Sequence, residues 1–234
     1  MTKSDPMLAH PSIHSHNRNL VAPHSVRTFA EHGYCVYAAS WNPAAADVFA
    51  TASGDCTVKL WDVRAPYSSC TLPAHGYEVL AVDWCKYNDA VLATGSVDKT
   101  IRLWDVRAPS MPLATLGGHG YAVRRVKWSP WSGRTLFSCS YDMTVAAWDC
   151  GAALGGAALA QPLPPGLAPP GGMPGGLGVD GAAAMLRRWD HHTEFAVGLD
   201  ASPLVDGLLA SCGWDETAAV WHCGGDPRQP TGGM

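Results

Sequence analysis

Four segments of this chain lie over one another without a gap, and that repetition constrains the fold more than any other feature of the sequence. The segments are EHGYCVYAASWN with TASGDCTVKLWD, AHGYEVLAVDWC with TGSVDKTIRLWD, GHGYAVRRVKWS with SCSYDMTVAAWD, and HHTEFAVGLDAS with SCGWDETAAVWH. Each runs from a histidine (His32, His75, His119, His192) to a tryptophan (Trp61, Trp104, Trp148, Trp221) over an interval of 29 residues. Six residues before each tryptophan stands an aspartate (Asp55, Asp98, Asp142, Asp215), and ten before it a hydroxyl (Thr51, Thr94, Ser138, Ser211). The histidines are 43, 44 and 73 residues apart, the last spacing being lengthened by an insertion.

A period of about 40 to 45 residues closing on Trp-Asp is the signature of a four-stranded β-propeller blade. Alternation such as V-Y-A-A-S-W (36–41) and T-V-K-L-W (57–61) reads as short strands, with S-G-D-C and S-V-D-K as the turns between them. The expected fold is therefore all-β, a WD40 β-propeller with four recognisable blades. Along the chain this gives an irregular tail over 1–25, three repeats over 26–150, an insertion over 151–181, a fourth repeat over 182–223 and a tail over 224–234. Ser25 to Phe29 reads as a strand leading into the first histidine loop.

The repeated polar residues suit a hydrogen-bonded series of histidine, aspartate, hydroxyl and indole N–H that satisfies buried polar groups and locks the loops of each blade. The same residue types invite a catalytic reading as a Ser-His-Asp triad. That reading fails because a catalytic site is a single constellation, whereas this set recurs four times at one spacing. No enzymatic activity, cofactor or metal is expected.

Composition narrows the partners. With 234 residues, 47% hydrophobic and 15% charged, the chain can bury a real core. A formal net charge of −4 gives no electrostatic reason to expect nucleic acid or an anionic membrane surface. No run of apolar residues is long enough to span a bilayer, and MTKSDPMLAH lacks the pattern of a secretory signal, so a soluble intracellular protein is expected. The eight cysteines form no C-x-x-C pair; Cys139 shares a repeat position with Cys212, and Cys150 with Cys223, as small buried strand residues do. His10, His14, His16 and His24 are irregularly spaced in a Ser-, Asn- and Pro-rich stretch that reads as a disordered or poorly packed tail rather than a metal site. Residues 151–181 are almost uncharged and built mainly of Gly, Ala, Pro and Leu, which argues against helix and ladder interiors, although a weak helical period falls in this insertion. The P-x-x-P of Pro162 to Pro165 is compatible with an SH3-type ligand, but a passive surface loop is the preferred reading.

These repeats resemble the WD-repeat family. Within it, EVLAVDWCKYNDAVLATGSVDKTIRLWD, GHGYAVRRVKWSP, LFSCSYDMTV, WDHHTEFAVGLD and SCGWDET resemble the receptors for type 2 peroxisomal targeting signals, a class of peroxins. The strings D-W-C-K-Y-N, S-C-S-Y-D and D-H-H-T-E-F do not belong to the general WD pattern, and the resemblance covers 26–150 and 184–221. It implies a non-enzymatic cytosolic receptor that binds the N-terminal signal of peroxisomal matrix proteins. With a peroxin co-receptor and peroxisomal docking proteins, such a receptor delivers its cargo and cycles between cytosol and peroxisomal matrix. The alternatives are a generic WD-repeat scaffold or adaptor, and a truncated, non-functional fragment of such a receptor. Members of the family resemble closed rings of roughly seven blades, so four units correspond to the C-terminal part, with three blades missing. An arc of four blades is expected to leave two apolar faces exposed and to be aggregation-prone, partner-dependent or dimeric.

The loops after the histidines and the turns bearing the aspartates emerge together on one face of a propeller. There the sequence offers Tyr34, Tyr77, Glu78, Tyr121, Tyr141, Glu194, Trp214 and Glu216 as candidate peptide-binding residues. Aromatic rings and carboxylates complement the basic amphipathic helix that the resemblance implies as ligand, although each residue is equally compatible with plain solvation. Arg124 and Arg125 lie beside this region, either as contacts for an acidic co-receptor segment or as residues that merely flank a strand.

Overall fold

A computed structural model of the chain describes residues 27–155, 162–164, 166–167 and 184–228. The chain divides into two compact units, Met1–Ala30 and Glu31–Met234. In the first, residues 27–30 enter no ladder, and since a strand exists only as a line of a ladder, Thr28 and Phe29 do not form the expected one. The remainder of that expectation, and the four N-terminal histidines, lie outside the described residues.

The second unit is built from antiparallel sheets, one for each repeat. The first blade comprises β1 (Val36–Trp41), β2 (Val48–Ser53), β3 (Val58–Asp62) and β4 (Ser68–Leu72) in sequential order. The second comprises β5 (Val79–Trp84), β6 (Val91–Ser96), β7 (Ile101–Asp105) and β8 (Ala114–Leu116). In the third, β9 (Val123–Trp128), β10 (Thr135–Ser140) and β11 (Val145–Asp149) are followed by a one-turn helix α1 (Gly151–Leu154) and the insertion before the outer strand, β12 (Ala184–Trp189). The fourth holds β13 (Ala196–Ala201), β14 (Leu208–Gly213) and β15 (Ala218–His222). The segment from 182 that the repeat assigns to the fourth unit thus gives its first strand to the third blade, where β12 pairs with β11. Helix α1 also falls inside the stretch whose composition argued against helix; its Gly151–Leu154 turn precedes the first Pro of the insertion.

Local chemistry makes the blades alike. The hairpin joining the first two strands carries a register shift in every blade, at Val36/Ala38, Val79/Ala81, Cys139/Ser140 and Ala196/Gly198, the kind of bulge that increases twist. The next hairpin turns through a residue of positive φ: Cys56 (67°), Lys99 (70°), Met143 (68°) and Glu216 (62°). The preceding aspartate holds that conformation by accepting the backbone N–H of the following threonine at 3.0, 3.0, 3.0 and 3.1 Å in blade order.

Alternation sends one side of each sheet forward and the other back, so the core is a series of layers between blades. Ala52, Leu60 and Leu72 of the first blade pack with Val82, Trp84 and Trp104 of the second. Ile101 and Leu103 pack with Val126, Trp128 and Trp148 of the third. Phe137 and Val145 pack with Leu199, Leu209 and Trp221 of the fourth. Each large apolar side chain so buried contributes roughly 1.5–3 kcal/mol. Leu167 of the insertion joins the last layer and is buried, so this segment is not wholly the passive surface loop expected from its composition. It reaches the layer because Gly166, at φ 82°, passes so close to Gly224 that a Cβ would lie 2.2 Å from the Gly224 Cα.

Candidate functional site

Each blade carries the same polar series. In the first, Asp55 Oδ2 accepts from His32 Nδ1 at 2.7 Å, while Thr51 Oγ1 meets His32 Nε2 at 2.7 Å and accepts from Trp61 Nε1 at 2.8 Å. In the second, the corresponding distances are 2.8 Å for His75–Asp98, 2.7 Å for His75–Thr94 and 3.1 Å for Trp104–Thr94. In the third they are 2.8 Å for His119–Asp142, 2.7 Å for His119–Ser138 and 2.8 Å for Trp148–Ser138. The partners fix the direction of the bonds. An ionised carboxylate only accepts, so Nδ1 carries the hydrogen; Nε2 then accepts from the hydroxyl, which accepts from the indole. Burial works to raise the pKa of Asp98, but hydrogen bonds from His75 and Thr100 bring it down to about 2. For Asp142, burial is likewise overridden, by His119, Thr144 and the Gly120 N–H, which hold the carboxyl well below the usual range. Burial is the dominant influence on His75 and lowers its pKa, which keeps the ring neutral. This directed series ties the loop before one strand to the turn between two others.

The fourth blade departs from the pattern. His192 Nδ1 meets Asp215 Oδ2 at 2.8 Å and His192 Nε2 meets Ser211 at 2.8 Å, but His191 Nε2 also reaches the Ser211 hydroxyl, at 2.9 Å. With the hydroxyl occupied, the buried Trp221 Nε1 has no hydrogen-bond partner among the described residues, nor has His191 Nδ1. Burial, reinforced by the neighbouring His192, depresses the pKa of His191 to about 4.

The frame carries the candidate binding residues at repeated positions. Tyr34, Tyr77, Tyr121 and Glu194 follow their histidines by two residues, Tyr141 and Trp214 precede their aspartates, and Glu216 follows Asp215. Tyr34, Tyr77, Tyr121, Glu194, Trp214 and Glu216 are exposed, while Glu78 and Tyr141 are half-buried. Glu78, Tyr121, Tyr141 and Trp214 make contacts across the junctions between blades. Glu78 accepts from the Tyr37 hydroxyl at 3.0 Å between the first two blades, and Lys99 lies 5.6 Å from the centroid of the Tyr121 ring between the second and third. Between the third and fourth, Tyr141, Phe195 and Trp214 form an aromatic cluster with centroid separations of 4.8, 5.1 and 6.3 Å. Glu194 and Glu216 flank that cluster in sequence and enter no ion pair among the described residues.

Sequence reasoning missed Phe195, Tyr37 and Lys99. Phe195 stands where the other repeats have Cys35, Glu78 and Ala122, so only the D-H-H-T-E-F string marked it. Arg124 and Arg125 both lie inside β9. Arg125 faces a polar cleft of about 250 Å³ onto which the first strands of all four blades look, together with Ser40, Asp83, Lys127 and Asp200. The charges of that cleft are largely matched internally: Lys86 and the Trp128 N–H donate to Asp83 at 2.8 Å each, and Lys127 pairs with Asp200 at 3.0 Å.

Comparison with known proteins agrees with this architecture. The profile described as "WD domain, G-beta repeat" matches residues 23–62, 67–105 and 110–149. The chain is also similar to "Peroxisome biogenesis protein 7" of Arabidopsis thaliana, with 64% identity over 45 residues. That match covers 19% of this chain and 14% of the Arabidopsis protein. Among the described residues, no helix is long and apolar enough to cross a membrane. Four antiparallel sheets of three or four strands and profile matches over half its length place the chain in the WD-domain, G-beta repeat family.

Proposed function

We propose that this chain is a non-enzymatic peptide receptor in peroxisomal protein import, binding the N-terminal type 2 targeting signal of matrix proteins. The observation that carries this reading is the Tyr141–Phe195–Trp214 cluster, flanked by Glu194 and Glu216. Stacked aromatic rings supply rigid apolar area, and carboxylates that enter no ion pair among the described residues supply charge for a basic, amphipathic segment. The peroxisomal assignment draws on the similarity to the Arabidopsis protein and on the family-specific strings around Asp83–Asn88, Ser138–Asp142 and Asp190–Phe195. In this reading the chain works in the cytosol, acts with a peroxin co-receptor and peroxisomal docking proteins, and cycles to the peroxisome. The histidine–aspartate–hydroxyl sets hold the frame and perform no chemistry.

Fluorescence anisotropy with a labelled type 2 signal peptide tests the reading, in the presence and absence of the co-receptor. Binding that weakens at least tenfold when the peptide's arginine is changed to glutamate, and weakens similarly with Trp214→Ala, supports it. Binding indifferent to both changes assigns the chain to the general class of WD-repeat adaptors instead.

A further inference from the structure

The polar series of the fourth blade holds one ring more than the others. Ladder register carries Trp221 to the place from which Trp148 reaches its hydroxyl: Ser211 faces Ala219 and Leu209 faces Trp221 in β14 and β15, as Ser138 faces Ala146 and Leu136 faces Trp148 in β10 and β11. Trp148 bonds to Ser138 at 2.8 Å, yet the Trp221 indole N–H bonds to nothing among the described residues. The difference is His191, whose repeat counterparts are Glu31, Ala74 and Gly118. Alanine and glycine have no side chain that could reach the hydroxyl, and Glu31 accepts from the Ser68 hydroxyl at 2.6 Å instead. In the fourth blade the second imidazole enters and stands edge-on to Trp221, with ring centroids 4.7 Å apart.

The positions of the protons follow from the partners. Asp215 accepts from His192 Nδ1, so His192 Nε2 is bare and takes the single Ser211 proton. The Ser211 oxygen therefore accepts from His191 Nε2, and the neutral His191 ring has no proton left for Nδ1. Two buried atoms go unmatched among the described residues, an acceptor on His191 and a donor on Trp221. Turning His191 out to solvent satisfies both: water hydrates the imidazole, and the Ser211 oxygen accepts from the indole as its counterparts do in the first three blades. His191 is only half-buried, which leaves it a short route to water. Trp221 stays where it is, buried between the third and fourth blades and packed against Trp189 at 5.6 Å.

We infer that Ser211 has two alternative partners, His191 in the state described and Trp221 in a second state, and that protonation of His191 drives the exchange. This goes beyond peptide binding and stands independently of it. Charge on His191 is opposed by burial first, then by His192 and Arg228, and is favoured by Asp215 and Asp190. Asp215 stays ionised, because hydrogen bonds from Thr217, His192 and the Thr193 N–H override the burial that would raise its pKa. Arg228 pairs with Asp190 at 3.1 Å. A ring with a pKa of about 4 on Ser211 and about 6.5 in water takes up its proton preferentially in the second state. The exchange is therefore promoted as the pH falls below 6.5, by on the order of a hundredfold once it is below 4. The bonds of His192 are kept in both states, so this is a local two-state element at the root of the loop that bears Glu194 and Phe195.

Two-dimensional ¹⁵N NMR of the indole N–H groups of the full chain tests the inference, the Trp221 signal being identified by its loss in Trp221→Phe. A hydrogen-bonded indole proton resonates downfield of a free one. At pH 7 the Trp221 signal is therefore expected upfield of those of Trp61, Trp104 and Trp148, and His191→Ala is expected to move it downfield into their range. Lowering the pH from 7 to 4.5 is expected to move the wild-type signal the same way while the Trp148 signal stays in place. His191→Gln, whose amide copies the Nε2 donor and does not titrate, is expected to abolish that movement. A Trp221 signal unchanged by His191→Ala overturns the exchange. A movement with pH that persists in His191→Gln, or that Trp148 shares, overturns the part played by His191 protonation.

Discussion

Replacing Ser138 by alanine removes one oxygen and strands two buried groups. Ser138 is fully buried, its hydroxyl accepts from Trp148 Nε1 at 2.8 Å, and it lies 2.7 Å from His119 Nε2. The tryptophan and the histidine are themselves almost completely buried, so water cannot replace the lost partner without a rearrangement of the blade. An unsatisfied buried donor or acceptor costs about 1–3 kcal/mol, so two of them place the loss for Ser138→Ala at roughly 2–6 kcal/mol. Ser138→Thr keeps the hydroxyl and copies Thr51 and Thr94 of the first two blades, and its loss is expected to stay below about 1.5 kcal/mol. Urea unfolding followed by tryptophan fluorescence measures both. The serine-to-alanine step should cost about 1 kcal/mol less in a Trp148→Phe background, because that variant has already removed the indole donor. A loss below about 0.5 kcal/mol for Ser138→Ala, or an equal loss for alanine and threonine, would refute the directed series.

Trp221→Phe is expected to cost about 1 kcal/mol less than Trp148→Phe by the same unfolding assay, since the Trp221 indole N–H bonds to nothing among the described residues. His191 has its pKa lowered from 6.5 to about 4, so its folded form binds a proton less readily than the unfolded chain. Stability is therefore complete above pH 6.5 and falls as the pH drops towards 4; His191→Phe is expected to flatten that slope in melts across this window. Asp98, lowered from 3.8 to about 2, contributes stability above pH 4 that is lost as the pH falls towards 2, and Asp98→Asn should remove that lower step. Met143→Gly is expected to stabilise by about 0.5–1 kcal/mol in the urea assay, because residue 143 holds a φ of 68° that side chains disfavour. Leu167→Ala is expected to cost about 2–4 kcal/mol, which a surface loop would not.

The features legible in the sequence are those where the fold demands particular atoms. A carboxylate, an imidazole, a hydroxyl and an indole can complete the blade's series only at fixed separations, so Asp142, His119, Ser138 and Trp148 announce the third blade by spacing alone. The membership of β12 was not legible, because which sheet a strand joins is decided by ladder pairing, and a long insertion separates Ala184–Trp189 from the β11 that it completes. Leu167 was equally silent: a Gly, Pro, Ala and Leu stretch has no period to say which leucine turns inward. In the candidate site, Tyr141 and Trp214 could be placed at the head of their turns because the aspartates that follow them repeat. Phe195 occupies a position whose residue differs in every repeat, and only the packing of two blades brings it between those rings. Cys212 is exposed where its counterpart Cys139 is buried, a departure from the shared burial expected of the two, because exposure depends on what packs on the blade, which no local pattern records.

Hydrogen–deuterium exchange of the chain with and without a type 2 signal peptide tests the central claim most directly. The account predicts that protection concentrates in the loops around 193–196 and 214–217, with lesser effects near 77–78 and 121, while β1, β5, β9 and β13 along the inner cleft are unchanged beyond their first residues. Protection confined to the inner cleft, or no peptide-dependent change at Phe195 and Trp214, would contradict it.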